Sequence, residues 1–550
     1  MAQTKAEAAI SSALPATGQE MLADITNNRV WADGTLQYYL GTGGDIDLDS
    51  EFRANYNEYF VAGTMADTTY AYTALTVRAF QMIDSVIATD FSRVTDRATA
   101  AATADLVLVS SDTPAPAYAG LEGFCMFPQT ATRAANDSWS FGAFASNLDY
   151  MRTPAELGGG EYANWTLIHE IGHGLGIYHP FQGDAATSVG PALDNERYTV
   201  MSYTGATNAD AYGHAVTMMA LDIAALQQQY GAEAHAAGNS TYTLFDARGG
   251  ALSLAEGAMS IGRAYAAIWD SGGTDTIRYG NSANSVMINL NDATLDRSQI
   301  AADAAPSIAA LQNTSMFTHL SADLQTEIID PDYNAGGFFS RVLTNSGGTY
   351  SGIDGGFAIA NGARIENAAG GAQADLLIGN ETGNTLTGNG GNDVLIGGAG
   401  NDVLQGGLGT DTAAFSGVRA QYTITANAND SFTITHNGGV DGTDTLWEVE
   451  QAQFDDQLVQ LTGITPPPVL DFTPIANNAF LPFGADVLYH NDDGSESGID
   501  ITSIFEDGLT IGGVTYTTFA VNTNGNVTFG GSLGTYTPGV IGNSSLAIVA

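Results

Sequence analysis

The sequence predicts a multidomain protein: an α+β domain, then a parallel β-roll, then a C-terminal all-β module. Three observations carry that reading. WTLIHEIGHGLGIYH (Trp165–His179) places three of the chain's eight histidines within eleven residues at helical spacing. From Gly370 a nine-residue period runs five times. A proline run, Pro466–Pro468, then precedes a final stretch of alternating apolar and polar residues. At 550 residues the chain exceeds what one core can serve.

The elements follow in order. Residues 1–25 are Ala-rich and polar, a leader. The first domain, 26–237, opens with a strand at Thr35–Gly41 and a helix at Tyr70–Ile87. ADLVLVSS (Ala104–Ser111) reads as a buried strand, continuous in apolar residues. Residues 160–176 form the histidine helix, and Ala215–Ala232 a third helix closed by Gly231. From Asn239 onward Gly, Asn, Asp and Thr rise and helical periodicity fades, so 238–462 reads as the roll domain, with a partly helical insertion at 301–350. A linker at 463–469 leads to the module at 470–550, which stops on SSLAIVA without a closing turn. That ending predicts a natural chain that continues past Ala550.

Composition narrows the function. Sixty acidic residues face sixteen basic ones, a net charge of −44 that repels phosphate backbones and argues against nucleic-acid partners. The same carboxylates suit hard cations, Ca²⁺ first among them. A single cysteine, Cys125, rules out an intrachain disulfide and a Cys-based zinc site. The N-terminus lacks the apolar core of a secretory signal, and no 18-residue apolar run offers a membrane span.

In the nonapeptides GGAQADLLI, GNETGNTLT, GNGGNDVLI, GGAGNDVLQ and GGLGTDTAA, the sixth position reads Asp375, Asn384, Asp393, Asp402, Asp411. The eighth reads Leu377, Leu386, Leu395, Leu404, Ala413. Loop glycines such as Gly388, Gly390, Gly397 and Gly406 let backbone carbonyls converge, the aspartate supplies charge, and the eighth residue turns inward on a short strand. Stacked, such units form a parallel roll holding several structural Ca²⁺ ions between turns. WDSGGTDTI (Trp269–Ile277) repeats the chemistry upstream through Asp270, Gly272 and Asp275.

His169 and His173 lie one helical turn apart on one face, a spacing that lets two imidazoles reach one ion. Gly176 can end the helix in a left-handed conformation and bring His179 round as third ligand. Three neutral imidazoles leave a tetrahedral zinc one open position, the pattern of a catalytic site. Glu170 then serves as general base for a zinc-activated water attacking a carbonyl, and afterwards passes the proton to the leaving amine.

HEIGHGLGIYH, His169 to His179, resembles the zinc signature of the metzincin peptidases, and TVMSY (Thr199–Tyr203) resembles the methionine turn of their serralysin branch. That resemblance implies Met201 beneath the metal. It also implies Tyr203 as a further zinc ligand that swings away to hydrogen-bond the oxyanion. LDIAALQQQYGA, IWDSGGTDTI, MINLNDATL, ARIENAAGGAQADLLIGN and the repeats extend the likeness over about residues 25–462. It implies a secreted, monomeric zinc endopeptidase acting on extracellular proteins and peptides, exported by one-step (type I) secretion machinery and made as a zymogen with residues 1–25 as prosegment. Export through that route would let the roll fold only where Ca²⁺ is plentiful. The insertion at 301–350 departs from the family, and FAVNTNGNVTFGG (Phe519–Gly531) is similar to the opening strands of nidogen-type extracellular modules. Substrate is expected to pair with an edge strand at Leu106–Ser111. The rival reading is a calcium-dependent adhesion protein with a vestigial protease domain, and a third is a metallohydrolase of sugars or esters.

Overall fold

The computed structural model describes residues 34–41, 70–111, 123–125, 140–145, 162–181, 189–205, 213–246, 253–280, 283–297, 304–439 and 441–461, with the strands after 494 and a few positions before 34. The leader apart from Leu22, and the linker at 463–469, lie outside them. The chain divides into two compact units, Met1–Val469 and Leu470–Ala550. The second contains an antiparallel sheet of four strands, Ser495–Asp500, Thr518–Asn522, Val527–Phe529 and Ala547–Val549, and a separate two-stranded hairpin.

The first unit begins with β1 (Thr35–Gly41), α1 (Tyr70–Asp84), β2 (Asp90–Val94), α2 (Arg97–Thr103), β3 (Leu106–Ser111), β4 (Gly123–Cys125) and β5 (Ser140–Ala145). The sheet order is β2-β1-β3-β5-β4; β4 runs antiparallel to β5 and all other pairs are parallel. This corrects the expected substrate edge. Leu106–Ser111 pairs on both sides and is central, as its unbroken apolar run requires of a strand buried on both faces. Among the described residues, the free edge beside the histidine helix belongs to β4. The histidine helix is α3 (Tyr162–Gly174), and α4 (Ala220–Tyr230) ends at Gly231, where φ is +80°.

Beyond residue 240 two sheets face each other, and successive nonapeptides alternate between them. Leu376–Ile378, Val394–Ile396 and Thr412–Ala414 pair in parallel within the eight-stranded sheet. Thr385–Gly390 and Val403–Leu408 pair in parallel within the ten-stranded one. Leu377, Leu386, Leu395, Leu404 and Ala413 are all buried between the sheets, in one core that continues into the α/β part.

The insertion supplies α5 (Ala304–Gln312), α6 (Ser315–His319), α7 (Ala322–Ile329) and α8 (Pro331–Ala335), followed by a strand at Arg341–Ser346. Its Ile308, Leu311, Met316, Leu324 and Ile328 pack on Leu376, Ile378, Val394 and Ile396, covering the outer face of the eight-stranded sheet. The repeats carry that signal. LLI and VLI place apolar residues at positions seven and nine of this sheet, whereas TLT and VLQ leave Thr385 and Val403 exposed on the other.

Candidate active site and metal centre

Helix α3 ends in a Schellman turn: Gly176 has φ +91°, its N–H reaches the His173 carbonyl, and the Ile177 N–H reaches the Gly172 carbonyl. The last carbonyls find side-chain donors far away in sequence. Trp31 Nε1 donates to Gly174 O at 3.0 Å, Tyr230 Oη to Leu175 O at 2.7 Å, and Gln229 Nε2 to Gly176 O at 3.3 Å. The chain therefore turns back where the glycine allows it, and His179 faces the helix.

The three imidazoles meet. His173 Nε2 lies 3.1 Å from His179 Nε2, which lies 3.2 Å from His169 Nε2. His169 Nδ1–H donates to Val200 O at 2.7 Å and His173 Nδ1–H to Ile177 O at 2.8 Å. A carbonyl can only accept, so both Nε2 atoms turn lone pairs inward. Burial holds His169 down to about 3 and His173 well below its ordinary value, so both are neutral. Converging lone pairs repel unless a cation lies between them. Nitrogens about 2.0–2.1 Å from one tetrahedral ion would stand about 3.3 Å apart, close to the spacing here, so the donor set fits zinc.

Glu170, between the two helical ligands, is buried, and its Oε2 has no hydrogen-bond partner. Burial pushes the carboxyl up to about 8, against a hydrogen bond from the Cys125 backbone on β4. Tyr203 is 65% exposed, its ring centroid 5.5 Å from that of His169 and 4.5 Å from that of His179. Phe181, 45% exposed, stacks on His179 at 4.9 Å.

Met201 is fully buried beneath the helix, and a Cβ on Gly172 would stand 2.6 Å from its Sδ. Its turn hangs on Asp222 of α4, a residue the sequence did not single out. Thr199 Oγ1 donates to Asp222 Oδ1 at 2.6 Å, and the N–H groups of Val200 and Met219 donate to Oδ2 at 2.7 and 2.9 Å. Asp222 thus holds Val200, the residue whose carbonyl orients His169. Burial, opposed by these bonds, raises its carboxyl to about 6. The native state binds this proton more tightly than the unfolded chain does. Its stabilising contribution is therefore complete below about pH 4 and lost as pH rises through 6. The stability gap between wild type and Asp222→Asn should then narrow by roughly 2–3 kcal/mol from pH 4 to pH 7. A gap that stays constant in denaturant titrations would mean an ordinary carboxyl. His214, buried and bonded to Glu196 Oε2 at 2.7 Å, lies behind Trp165, which in turn tilts against His169.

In the roll, the position-six residues form two ladders. In one sheet, the N–H of Val286 donates to Asp375 Oδ1, that of Asp375 to Asp393, of Asp393 to Asp411, and of Asp411 to Glu450 Oε2, all at 2.7–2.8 Å. In the other, the N–H groups of Ser240, Asp275, Asn384 and Asp402 donate in turn to Asp275, Glu366, Asp402 and Asp444, at 2.7–2.9 Å. One carboxylate oxygen of Asp275, Asp393, Asp402 and Asp411 stays buried with no partner. Burial raises Asp375 and Asp411 to about 7 and Asp393 to about 8, and Asp402 and Asp444 also rise. Such a set fits a hard cation. Gly388, Gly397 and Gly406 are required because a Cβ on any of them would collide with the aspartate of its own turn. Asp270 spends its oxygens on the Tyr242 hydroxyl at 2.6 Å and the Gly272 N–H at 3.2 Å. Sequence reading missed Glu366, Asp444 and Glu450. GVDGTDTLW (Gly439–Trp447) does carry the repeat's spacing, displaced behind a hairpin.

A family model, the RTX calcium-binding nonapeptide repeat in four copies, matches residues 378–413. Serralysin C of Dickeya chrysanthemi is 33% identical over 186 residues, covering 32% of this chain and 37% of that protein. Metallopeptidase AprA of Pseudomonas marginalis is 31% identical over 190 residues, or 32% and 38% of the two chains. Serralysin of Proteus mirabilis is 34% identical over 160 residues, or 27% and 32%. The matched segment thus spans little more than a third of the curated relatives' length. Among the described residues no helix is long and apolar enough to cross a membrane.

Proposed function

We propose that this chain, a relative of the serralysins that carries RTX calcium-binding repeats, is a secreted zinc endopeptidase acting on extracellular proteins and peptides. One observation carries the reading: three inward-facing imidazole nitrogens at 3.1 and 3.2 Å beside a buried, unpartnered Glu170 oxygen. His169, His173 and His179 would hold the ion, with Tyr203 at its exposed side. Zinc, when bound, supplies a Lewis acid that polarises the scissile carbonyl and acidifies water. Glu170 Oε2 accepts the proton of the attacking water and returns it to the leaving amine. Desolvation raises that carboxyl's affinity for a proton, so a proton taken from water is held more tightly than on an exposed glutamate. Tyr203, 65% exposed beside the histidines, can turn its hydroxyl toward the developing oxyanion.

The layout we propose is a protease domain over 26–237, a calcium roll over 238–462 with the insertion inside it, and a module at 470–550 that serves attachment or targeting. Residues 1–25 would form the prosegment. Export by one-step machinery and a monomeric state complete the proposal.

Substrate would add as a strand to the free edge of β4, whose Cys125 backbone already reaches Glu170. Phe124→Pro should raise KM for peptides at least tenfold with zinc content unchanged. Equal KM values in the two proteins would place substrate elsewhere. The reading as a whole is tested by metal removal. Stripping the protein with 1,10-phenanthroline should abolish cleavage of unfolded casein, and one equivalent of Zn²⁺ should restore it. Casein hydrolysis that survives complete stripping would refute the assignment, and a stripped and reloaded chain that never cleaves would favour the adhesion reading.

A further inference from the structure

The insertion reaches the active site from below. Glu327 of α7 is mostly buried, its side chain 17% exposed, and its Oε1 accepts a hydrogen bond from Arg197 Nη1 at 2.7 Å while Arg341 bonds the other oxygen. Both guanidinium groups are buried. Phe339 takes up part of their surplus charge, with Arg197 Cζ 5.9 Å and Arg341 Cζ 5.7 Å from its ring centroid. Burial works against the Glu327 charge, but Arg341 and Arg197 outweigh it and keep the carboxyl below its ordinary range.

Arg197 opens the segment Arg197–Met201. Tyr198, 1% exposed, packs edge-on against Phe339 at 5.5 Å and against Tyr333 of α8 at 6.1 Å. A Cβ on Gly336 would collide with the Tyr198 ring, so the insertion's last turn lies directly against it. Two residues on, the Val200 carbonyl receives His169 Nδ1–H. The segment is thus clamped from two sides: by Asp222 from within the α/β part, and by Glu327, Phe339 and Tyr333 from the insertion.

We infer that the insertion is a strut for the active site, and that Glu327 is a positioning residue that fixes the Arg197–Val200 segment and through it His169. This rests on the reading of the three histidines as a metal centre. Groups that orient a metal's ligands characteristically cost about 10–100-fold in metal affinity when removed. A purely structural bridge would move folding stability alone.

The test is zinc affinity of the full chain in millimolar calcium, measured by competition with dipicolinate, with the visible spectrum of the Co²⁺-loaded protein as second readout. Glu327→Gln should weaken zinc binding at least tenfold and shift the cobalt bands. Arg341→Gln, which leaves the Arg197–Glu327 contact, should stay within about twofold of wild type. Equal losses in the two variants, or none in Glu327→Gln, would overturn the inference. If Glu327→Gln does not reach the native circular dichroism spectrum, Arg197→Met decides: it keeps the apolar stem but removes the contact with Glu327, and wild-type zinc affinity there overturns the inference. A wild type that binds no zinc removes the metal-centre reading and the strut with it. One that binds zinc without cleaving casein removes the peptidase reading, and the variants still judge the strut.

Discussion

Glu170→Gln is expected to slow casein cleavage by roughly a hundredfold to ten-thousandfold, with about one zinc per chain still bound. The amide is nearly isosteric and can still accept from the Cys125 backbone, so the edge strand and the helix should keep their places. What the amide lacks is the basic oxygen, the atom that stands buried and unpartnered in the wild type. Metal content by atomic emission and kcat against KM together decide the case. A loss confined to kcat with zinc retained places Glu170 at the proton. Loss of zinc together with activity would make Glu170 a support of the metal site instead. Full activity in Glu170→Gln would remove the general-base role, and with it the main chemical argument for a peptidase.

Chelating calcium with EGTA is expected to unfold the roll while leaving zinc on protein that has not yet aggregated. The ladders explain the size of the effect. Asp275, Asp393, Asp402 and Asp411 each keep a buried carboxylate oxygen with no donor, turn glycines pack tightly against them, and Asp393 stands between the like charges of Asp375 and Asp411 in its own ladder. Without a cation these charges meet desolvation and mutual repulsion at once. A site filled at a hundred times its Kd contributes about 2.7 kcal/mol, so two or three sites approach the whole 5–15 kcal/mol that keeps a domain folded. Far-UV circular dichroism should lose its β signal in EGTA and regain it in millimolar Ca²⁺, and Asp393→Asn should raise the calcium midpoint several-fold. A roll that keeps its spectrum in excess EGTA would show that the leucine core and the insertion helices suffice. Because the same insertion carries Glu327, the calcium-free protein should also bind zinc less tightly.

Local chemistry was legible in the sequence wherever its spacing matches a local period. His169, Glu170 and His173 follow the helical turn, Gly176 sits where the helix must reverse, and the nonapeptide's aspartate and leucine repeat with the strand-and-turn unit. Each of these can be deduced from neighbours no more than nine residues away. The breadth of the roll was partly hidden for the same reason. Asp444 and Glu450 continue the ladders but follow the hairpin Tyr422–His436, so the period is broken at the point where the sheet resumes.

The sequence by itself determined the histidine triad's membership, the buried glutamate between its members, the calcium-binding repeats and the acidic composition. Only the tertiary structure decided which partners hold those groups in place. Asp222 meets the methionine turn from a helix twenty-two residues downstream of Val200, Glu327 meets Arg197 across 130 residues, and Leu106–Ser111 lies inside the sheet, with β4 at its edge. Pairing order and long-range ion pairs are set by how whole elements pack. A side chain's own neighbours in sequence carry no record of which distant element will face it.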